Sequence, residues 1–149
     1  MTASDGGELL VVRRVLPASR ERVFAAWLDP ESLAQWMRVP GGSAAAEVEV
    51  DPRVGGRFRI AMRHSGGQVE HRGEYLAIDP PRRLEFTWIS VYTDARPTVV
   101  TVELHEREGG TELVLTHRRL PASRVDAHRQ GWTDIVRNLG VYLGADPAG

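Results

Sequence analysis

The sequence contains no cysteine, and all 19 of its basic residues are arginine, so lysine is absent as well. Without cysteine the chain can form no disulfide, no thiolate metal site and no thiolate nucleophile. Without lysine it can form no Schiff base and has no lysine general base. These absences exclude several enzyme classes, but they leave the redox compartment of the protein undetermined.

Long apolar runs and a secretion signal are also missing. No stretch of about 18 apolar residues occurs, so we expect no membrane span. The first residues, M-T-A-S-D-G-G-E, lack the basic and apolar segments of a signal peptide, and we therefore expect a cytoplasmic protein. The formal net charge is −1. Such a charge gives no general attraction to nucleic acid or to an anionic membrane, and we expect no nucleic-acid partner.

The length and composition fit one globular domain. The chain has 149 residues, of which 42% are hydrophobic and 26% are charged, and a chain of this size can bury a proper core. No internal repeat and no long linker divides it. We expect a single domain over residues 8–144, a disordered tail over residues 1–7 and a C-terminal tail over residues 145–149.

The longest helix-like stretch covers residues 125–143. Its apolar residues and one histidine recur at steps of three and four, which places them on one face of a helix. That face consists of Val125, His128, Trp132, Ile135, Val136, Leu139 and Leu143. Ser123, with Asp126 three residues later, predicts the start of the helix, and Gly144 predicts its end. Because one amphipathic helix cannot hide its own apolar stripe, it must lie across another element.

Almost everything before that helix is predicted to be strand. Two short helices, at residues 20–28 and 30–36, are indicated by the start signals Ser19 and Asp29-Pro30. Seven strands are predicted, at residues 8–16, 46–51, 57–64, 68–79, 83–91, 98–107 and 111–119. The element order β-α-α-β-β-β-β-β-β-α predicts an α+β fold with an antiparallel sheet. We expect the first strand at the far edge of the sheet, beside the last strand.

Two glycine pairs, Gly66-Gly67 and Gly109-Gly110, predict β-hairpins. In the first hairpin, pairing His64 with Val69 sorts opposite charges onto one face and apolar residues onto the other. The predicted pairs are Arg63–Glu70 and Arg59–Glu74 outward, and Phe58–Tyr75, Ile60–Gly73 and Met62–His71 inward. The second hairpin is predicted to pair Leu104–Leu115 and Val102–His117 inward, and Arg107–Glu112 outward.

Several segments carry a resemblance to a known superfamily. They are A-S-R-E-R-V-F-A-A-W-L-D-P-E-S-L-A-Q-W (18–36), G-G-R-F-R-I (55–60), G-E-Y-L-A-I-D-P-P-R-R-L-E-F-T-W (73–88), L-T-H (115–117) and G-W (131–132). With the element order, they resemble the helix-grip fold of the START/Bet v 1-like (SRPBCC) superfamily. The nearer branch is the one related to the C-terminal domain of the Hsp90 ATPase activator (AHSA1-like).

This resemblance implies a curved antiparallel sheet wrapped around the long C-terminal helix, with a cavity between them. The cavity is expected to hold an apolar or amphipathic small molecule. The scaffold carries many functions in this superfamily, so the fold alone does not select one. Activation of Hsp90 is not implied, because the eukaryotic activator carries a separate N-terminal domain that this chain lacks.

The inward positions of the strands and the last helix supply the candidate ligand-binding residues. They are Trp36, Phe58, Ile60, Met62, His71, Tyr75, Phe86, Trp88, Val102, Leu115, His117, His128, Trp132, Ile135 and Val136. The alternative is that these side chains simply pack the core. His117 alternates in phase with Leu113 and Leu115 and so points inward. It is either an acid/base group, or a group that orients a polar part of a ligand, or a buried neutral histidine bonded to a backbone carbonyl or a water.

Three functions are consistent with this pattern. The preferred one is binding of a hydrophobic small molecule, without cofactor or chemistry. The second is an enzyme of cyclase, hydrolase or dehydratase type, with His117 or His71 as acid/base and Tyr75 polarising a carbonyl. The third is a co-chaperone-like or stress-related interaction domain that uses the outer sheet face or the Trp36–Met37 loop.

The remaining expectations concern a metal site and protein partners. No two of the five histidines sit four residues apart or at directly paired strand positions, so we expect no metal site. Homodimerisation and an Hsp90-type chaperone partner are left open.

Overall fold

The computed structural model describes residues 8–38, 45–64 and 67–144. The two predicted tails, residues 1–7 and 145–149, lie outside the described residues. So does most of the predicted loop between the second helix and the second strand, residues 39–44.

The described residues form seven antiparallel strands and three helices, as predicted. These are β1 (Glu8–Leu16), α1 (Arg20–Leu28), α2 (Pro30–Trp36), β2 (Glu47–Val50), β3 (Arg57–His64), β4 (Gly67–Asp79), β5 (Arg83–Trp88), β6 (Thr98–Arg107), β7 (Gly110–Leu120) and α3 (Val125–Gly144). Two 3-10 turns, Val91–Thr93 and Ala122–Arg124, follow β5 and β7. The strand order is β1-β7-β6-β5-β4-β3-β2, so β1 lies beside β7 as expected.

Side-chain caps set the starts of the first two helices. The Ser19 hydroxyl accepts from Arg22 N at 3.2 Å, and the Asp29 carboxylate accepts from Ser32 N at 2.9 Å. The predicted cap at Ser123 is wrong, because Ser123 lies inside the 3-10 turn that precedes α3. The predicted fifth strand also extends too far. Ser90 caps the next turn by accepting from Tyr92 N, and β5 ends at Trp88.

Both hairpins are tighter than predicted. His64 pairs with Gly67 and Arg107 pairs with Gly110, so each glycine begins the second strand instead of lying in the loop. Two residues therefore connect the strands of each hairpin. They are residues 65–66 in the first hairpin, which lie outside the described residues, and residues 108–109 in the second, where Gly109 has a φ of 84°.

The predicted cross-strand pairs are therefore wrong by two residues. Phe58 faces Gly73, Ile60 faces His71, Met62 faces Val69, Arg59 faces Arg72, Leu104 faces Leu113, Val102 faces Leu115 and Val100 faces His117. Because side chains alternate with a period of two, this shift changes the partners but preserves the faces. Opposite charges still meet diagonally, as in the Arg59–Glu70 and Arg107–Glu112 ion pairs.

Helix α3 lies across the inner face of the sheet and buries the face predicted for it. Trp132, Ile135, Val136, Leu139 and Leu143 are buried, while Val125 and His128 are half-buried. Beneath the helix lies an aromatic cluster of Trp27, Trp36, Phe58, Phe86, Trp88 and Trp132, with neighbouring ring centroids 4.7–6.5 Å apart.

The C-terminal half of α3 is bound to the two short helices by polar contacts. The Tyr142 and Ser32 hydroxyls lie 2.9 Å apart, and Asn138 Nδ2 donates to Arg38 O at 3.2 Å. Arg22 Nη2 donates to Leu143 O at 3.3 Å. These contacts join α1, α2 and α3 into one layer on the sheet.

Two glycines offer a matched test of this packing. A Cβ at Gly73 would lie 1.9 Å from Thr87 O and 2.5 Å from the Phe58 ring, whereas one at Gly131 would meet nothing within 4 Å. We expect Gly73→Ala to lower the free energy of unfolding by about 2 kcal/mol or more through overpacking. Gly131→Ala should raise it by about 0.5–1 kcal/mol through helix propensity. Urea unfolding measures both, and equal effects of the two added methyl groups would contradict the described packing.

Candidate functional site

A cavity of about 410 Å³ lies between the N-terminal half of α3 and the strands β3, β4 and β5. The 3-10 turn after β5 forms one side of its mouth. The lining residues are Met62, Val69, His71, Trp88, Tyr92, Ala127, His128, Gly131, Trp132 and Ile135. The cavity therefore lies in the predicted layer, between the last helix and the sheet, but at one end of it.

Small residues on α3 create this space. Ala127 and Gly131 are four residues apart, so they lie one above the other on the same helix face. Nothing lies within 4 Å of the position that a Gly131 Cβ would occupy. Further along the helix, Val136 and Leu139 fill the corresponding volume and are fully buried.

Of the predicted ligand-binding residues, six line the cavity: Met62, His71, Trp88, His128, Trp132 and Ile135. The other nine do not: Trp36, Phe58, Ile60, Tyr75, Phe86, Val102, Leu115, His117 and Val136. Sequence reasoning missed Val69, Tyr92, Ala127 and Gly131. The spacing of Ala127 and Gly131 was a usable signal, and Val69 shares the inward phase of His71. Tyr92 lies in a turn without periodicity and gave no signal.

The centre of the predicted cavity is filled by side chains. A void of about 10 Å³ remains there, room for roughly one water molecule. It is lined by Trp27, Leu33, Met37, Phe58, Ile60, Tyr75, Phe86 and Trp88. Burial raises the pKa of the Tyr75 hydroxyl, and the nearby Asp51 carboxylate raises it further. Tyr75 therefore stays protonated, facing this small void instead of the larger cavity.

Trp36 and Met37 were predicted to form a loop that contacts a protein partner. Both are buried, with exposed fractions of 0% and 1%. Trp36 Nε1 donates to Ala26 O at 3.1 Å. The Trp36 ring packs edge-on against Trp27, with centroids 4.7 Å apart. These two residues hold α2 in the core and present no surface to a partner.

His117 is the centre of a buried hydrogen-bond chain. Trp132 Nε1 donates to its Nδ1 atom at 2.9 Å, and its Nε2 atom lies 2.7 Å from Thr98 Oγ1. Thr98 Oγ1 in turn donates to Trp88 O at 2.6 Å. The side chain of His117 has no exposed surface. This series of hydrogen bonds connects α3 to β7, β6 and β5.

The hydrogen bond from Trp132 determines the tautomer of His117. An indole N–H can only donate, so Nδ1 must accept and Nε2 carries the proton. Both ring nitrogens are then engaged in the neutral form. Burial lowers the pKa of His117 to about 3, and the neighbouring His128 contributes to the decrease. At neutral pH, His117 therefore joins helix to sheet as an uncharged group.

The two histidines that line the cavity differ in their surroundings. His71 is 6% exposed, and its ring lies 4.8 Å from Trp88 at an interplanar angle of 30°. His128 Nδ1 lies 2.9 Å from Arg124 O. Burial lowers the pKa of His128, as does the Arg124 charge, against the opposing effect of that backbone hydrogen bond. Its ring meets His117 edge-on, with centroids 5.1 Å apart.

An ion pair connects the two sides of the cavity mouth. Arg124 Nη2 lies 2.8 Å from Asp94 Oδ1, so the turn that carries Tyr92 is tied to the start of α3. Asp94 and Ala95 have φ values of 56° and 60°, a left-handed conformation that is costly for residues other than glycine. Ala95 N donates to Ser90 O at 2.9 Å and helps hold this shape.

The described site has no carboxylate or guanidinium in its lining and no cluster of residues that could hold a metal ion. No aspartate, glutamate or arginine occurs among the cavity-lining residues. Within residues 8–38, 45–64 and 67–144, no three histidine, aspartate or glutamate side chains lie close enough to hold a metal ion. In the same part of the chain, no helix has the length and apolar character needed to cross a membrane.

Comparison with known proteins identifies similar chains. The family model described as "Activator of Hsp90 ATPase homolog 1-like protein" matches residues 17–144. A crystal structure from Chromobacterium violaceum is 29% identical, with a TM-score of 0.83, over 93% of this chain and 99% of that one. A structure from Rhodobacter sphaeroides is 27% identical, with a TM-score of 0.80, over 93% of each chain.

A more distant structure is that of DynU16, a protein in the dynemicin biosynthetic locus. It is 24% identical, with a TM-score of 0.76, and the match covers 93% of this chain but 48% of that one. It shares the fold. No curated protein matches the sequence.

The buried His117 predicts a pH dependence of stability. Its pKa falls from 6.5 to about 3 on folding, so between these values the unfolded chain binds more protons and unfolding becomes easier as the pH falls. Through this group the free energy of unfolding should decrease by roughly 1 kcal/mol per pH unit below the ordinary histidine pKa. Urea unfolding between about pH 7 and pH 5.5 measures it.

His117→Gln keeps a donor and an acceptor but cannot titrate in this range, so its stability should depend less on pH. His105→Gln, at an exposed position of β6, is the control and should retain the wild-type slope. An unchanged slope in His117→Gln would contradict the assignment.

Proposed function

Because a family model matches residues 17–144, the chain belongs to the Activator of Hsp90 ATPase homolog 1-like family, and on that basis we propose that it binds an apolar small molecule beneath the N-terminal half of α3. The binding site is the cavity that Ala127 and Gly131 open above β3 and β4. The fold of this family, a sheet closed by a long helix, is compatible with a ligand in that position.

The observation that carries this function is the size and lining of the cavity. Its volume of about 410 Å³ lies within the range of small-molecule sites, about 300–1,000 Å³. Such sites are mostly apolar with a few placed polar groups. Here, apart from His71, His128 and Tyr92, the lining side chains are apolar or, at Gly131, absent.

Binding without chemistry fits the lining better than catalysis does. Of the three candidate catalytic residues, His71 lines the cavity, whereas His117 and Tyr75 do not. No carboxylate or guanidinium side chain lines the cavity, so charge that develops on a reacting substrate would meet no counter-charge there. DynU16, which shares the fold, is a protein of a biosynthetic locus, a setting consistent with a small-molecule ligand.

A cavity-filling substitution tests the site. Gly131→Leu places a side chain in the open space beneath α3 without displacing a neighbour within 4 Å of the Cβ. We expect wild-type protein to bind the neutral fluorescent probe N-phenyl-1-naphthylamine saturably, and Gly131→Leu to weaken that binding by at least about tenfold. Fluorescence titration measures both affinities. Circular dichroism and thermal unfolding verify that the variant is folded.

Two further variants control this experiment. Val141→Leu adds a methylene on an exposed part of the same helix, where the side chain is 66% exposed, and should bind the probe like wild type. Gly131→Ala should lie between wild type and Gly131→Leu. The proposed function is wrong if wild type does not bind the probe saturably, or if Gly131→Leu binds it equally well.

A further inference from the structure

The charge of the lining restricts the class of ligand. Moving an ionised group from water into a low-dielectric cavity is costly unless a counter-charge meets it. No arginine, aspartate or glutamate lines the cavity, and the sequence has no lysine. Arg124, in the turn before α3, is paired with Asp94 at the mouth, and Arg129 on α3 is paired with Asp126. The cavity therefore favours an uncharged molecule.

The shape of the walls favours a planar ring. The Trp88 ring lies between two other lining rings, 4.8 Å from His71 and 5.0 Å from Trp132. Tyr92 continues this surface at the mouth, 6.4 Å from His71. Aromatic pairs at such distances are stabilised in offset or edge arrangements. A flat aromatic ligand can extend this stack, whereas a flexible chain gains less from it.

His128 offers that ligand a hydrogen-bond acceptor. A carbonyl oxygen can only accept, so the contact between His128 Nδ1 and Arg124 O requires the proton on Nδ1. In the neutral ring, Nε2 then carries a lone pair. Within the described part of the chain, the His128 ring makes no other hydrogen bond. Nε2 is not fully buried, so a ligand can reach it. The lowered pKa of His128 keeps this acceptor uncharged at neutral pH.

The neighbouring histidine cannot take this role. His117 lies next to His128, but its two nitrogens are occupied by Trp132 and Thr98. It also lies outside the cavity lining. On α3, the acceptor that the geometry leaves for a ligand is His128 Nε2.

We propose that the ligand is an uncharged aromatic compound with a hydroxyl donor, of the phenol class, and that His128 Nε2 accepts from this hydroxyl. This inference rests on the proposed function, since it assigns a ligand class to the same cavity. It gives His128 a positioning role in recognition and involves no covalent step.

Three naphthalenes that differ in one substituent test the ligand class. They are 2-naphthol, 2-methoxynaphthalene and 2-naphthoate, each titrated against bound N-phenyl-1-naphthylamine at about pH 7.5. One hydrogen bond corresponds to roughly a fivefold gain in affinity, so 2-naphthol should bind about fivefold more tightly than the methyl ether. 2-Naphthoate should bind more weakly than 2-naphthol, because no cation receives its carboxylate.

The His128→Leu variant tests the acceptor. It should bind 2-naphthol and 2-methoxynaphthalene equally, because the acceptor that distinguishes the two compounds is gone. If His128→Leu does not fold, His128→Phe, which keeps a ring at this position, serves instead. His105→Leu, at an exposed position of β6, is the control and should keep the wild-type preference.

The outcomes separate the two proposals. If wild type binds the probe and Gly131→Leu lowers the affinity for it, the proposed binding site is supported. With the site established, equal affinity of wild type for 2-naphthol and its ether overturns the phenol class. So does a preference for 2-naphthoate, failure of both neutral compounds to displace the probe, or a hydroxyl preference that survives the His128 substitution. If the probe does not bind saturably, the proposed function itself fails.

Discussion

The hydrogen bond from the Trp132 indole to His117 determines how the last helix sits on the sheet. It is buried, it is directional, and it continues through Thr98 to the backbone of Trp88. Apolar contacts alone would allow α3 to rotate or slide, because the hydrophobic effect has no preferred direction. Breaking this chain would leave buried polar groups unsatisfied, which is costly. The rotation that satisfies it also turns His128 and Gly131, the neighbours of Trp132 on the helix, toward the cavity.

The helix thereby has two parts with different tasks. Its C-terminal half carries Asn138, Tyr142 and Leu143, which bind it to α1 and α2. Its N-terminal half carries Ala127 and Gly131, which leave space above the sheet. The dense aromatic cluster lies between them and closes off the deep end of that space. A single amphipathic helix thus serves both as a core element and as one wall of a cavity.

Much of this fold follows from local sequence signals. The phase of the β-strands placed Phe58, His71 and His117 on the inner face, and burial confirms it for each. The strand partners were wrong because turn length decides register, and Gly67 and Gly110 begin strands instead of completing loops. His117 is buried and hydrogen-bonded, as one predicted alternative had it, but its partners are the Trp132 indole and the Thr98 hydroxyl and not a backbone carbonyl or a water.

The location of the cavity could not be read in the same way. Periodicity shows which side chains point inward, but it does not show which of them meet. Six aromatic rings share the space beneath α3, and their mutual packing fills the centre, where Tyr75 and Phe58 were expected to face a ligand. The open space appears instead where the helix lacks bulk. A search for apolar faces looks for large apolar side chains, so it did not identify Ala127 and Gly131.

The separation of cavity from core has a consequence for how such a protein diversifies. Val69, Tyr92, Ala127 and Gly131 shape the cavity, yet none of them belongs to the buried core. Mutations at these positions can alter the size and lining of the cavity while the Trp27–Trp36 contact and the polar contacts of α3 with α1 and α2 stay intact. Trp88 and Trp132 belong both to the buried core and to the cavity lining, so a substitution at either position affects stability and cavity shape together. Over many generations the mouth of the cavity can therefore change shape within a lineage at little cost to the stability of the scaffold beneath it.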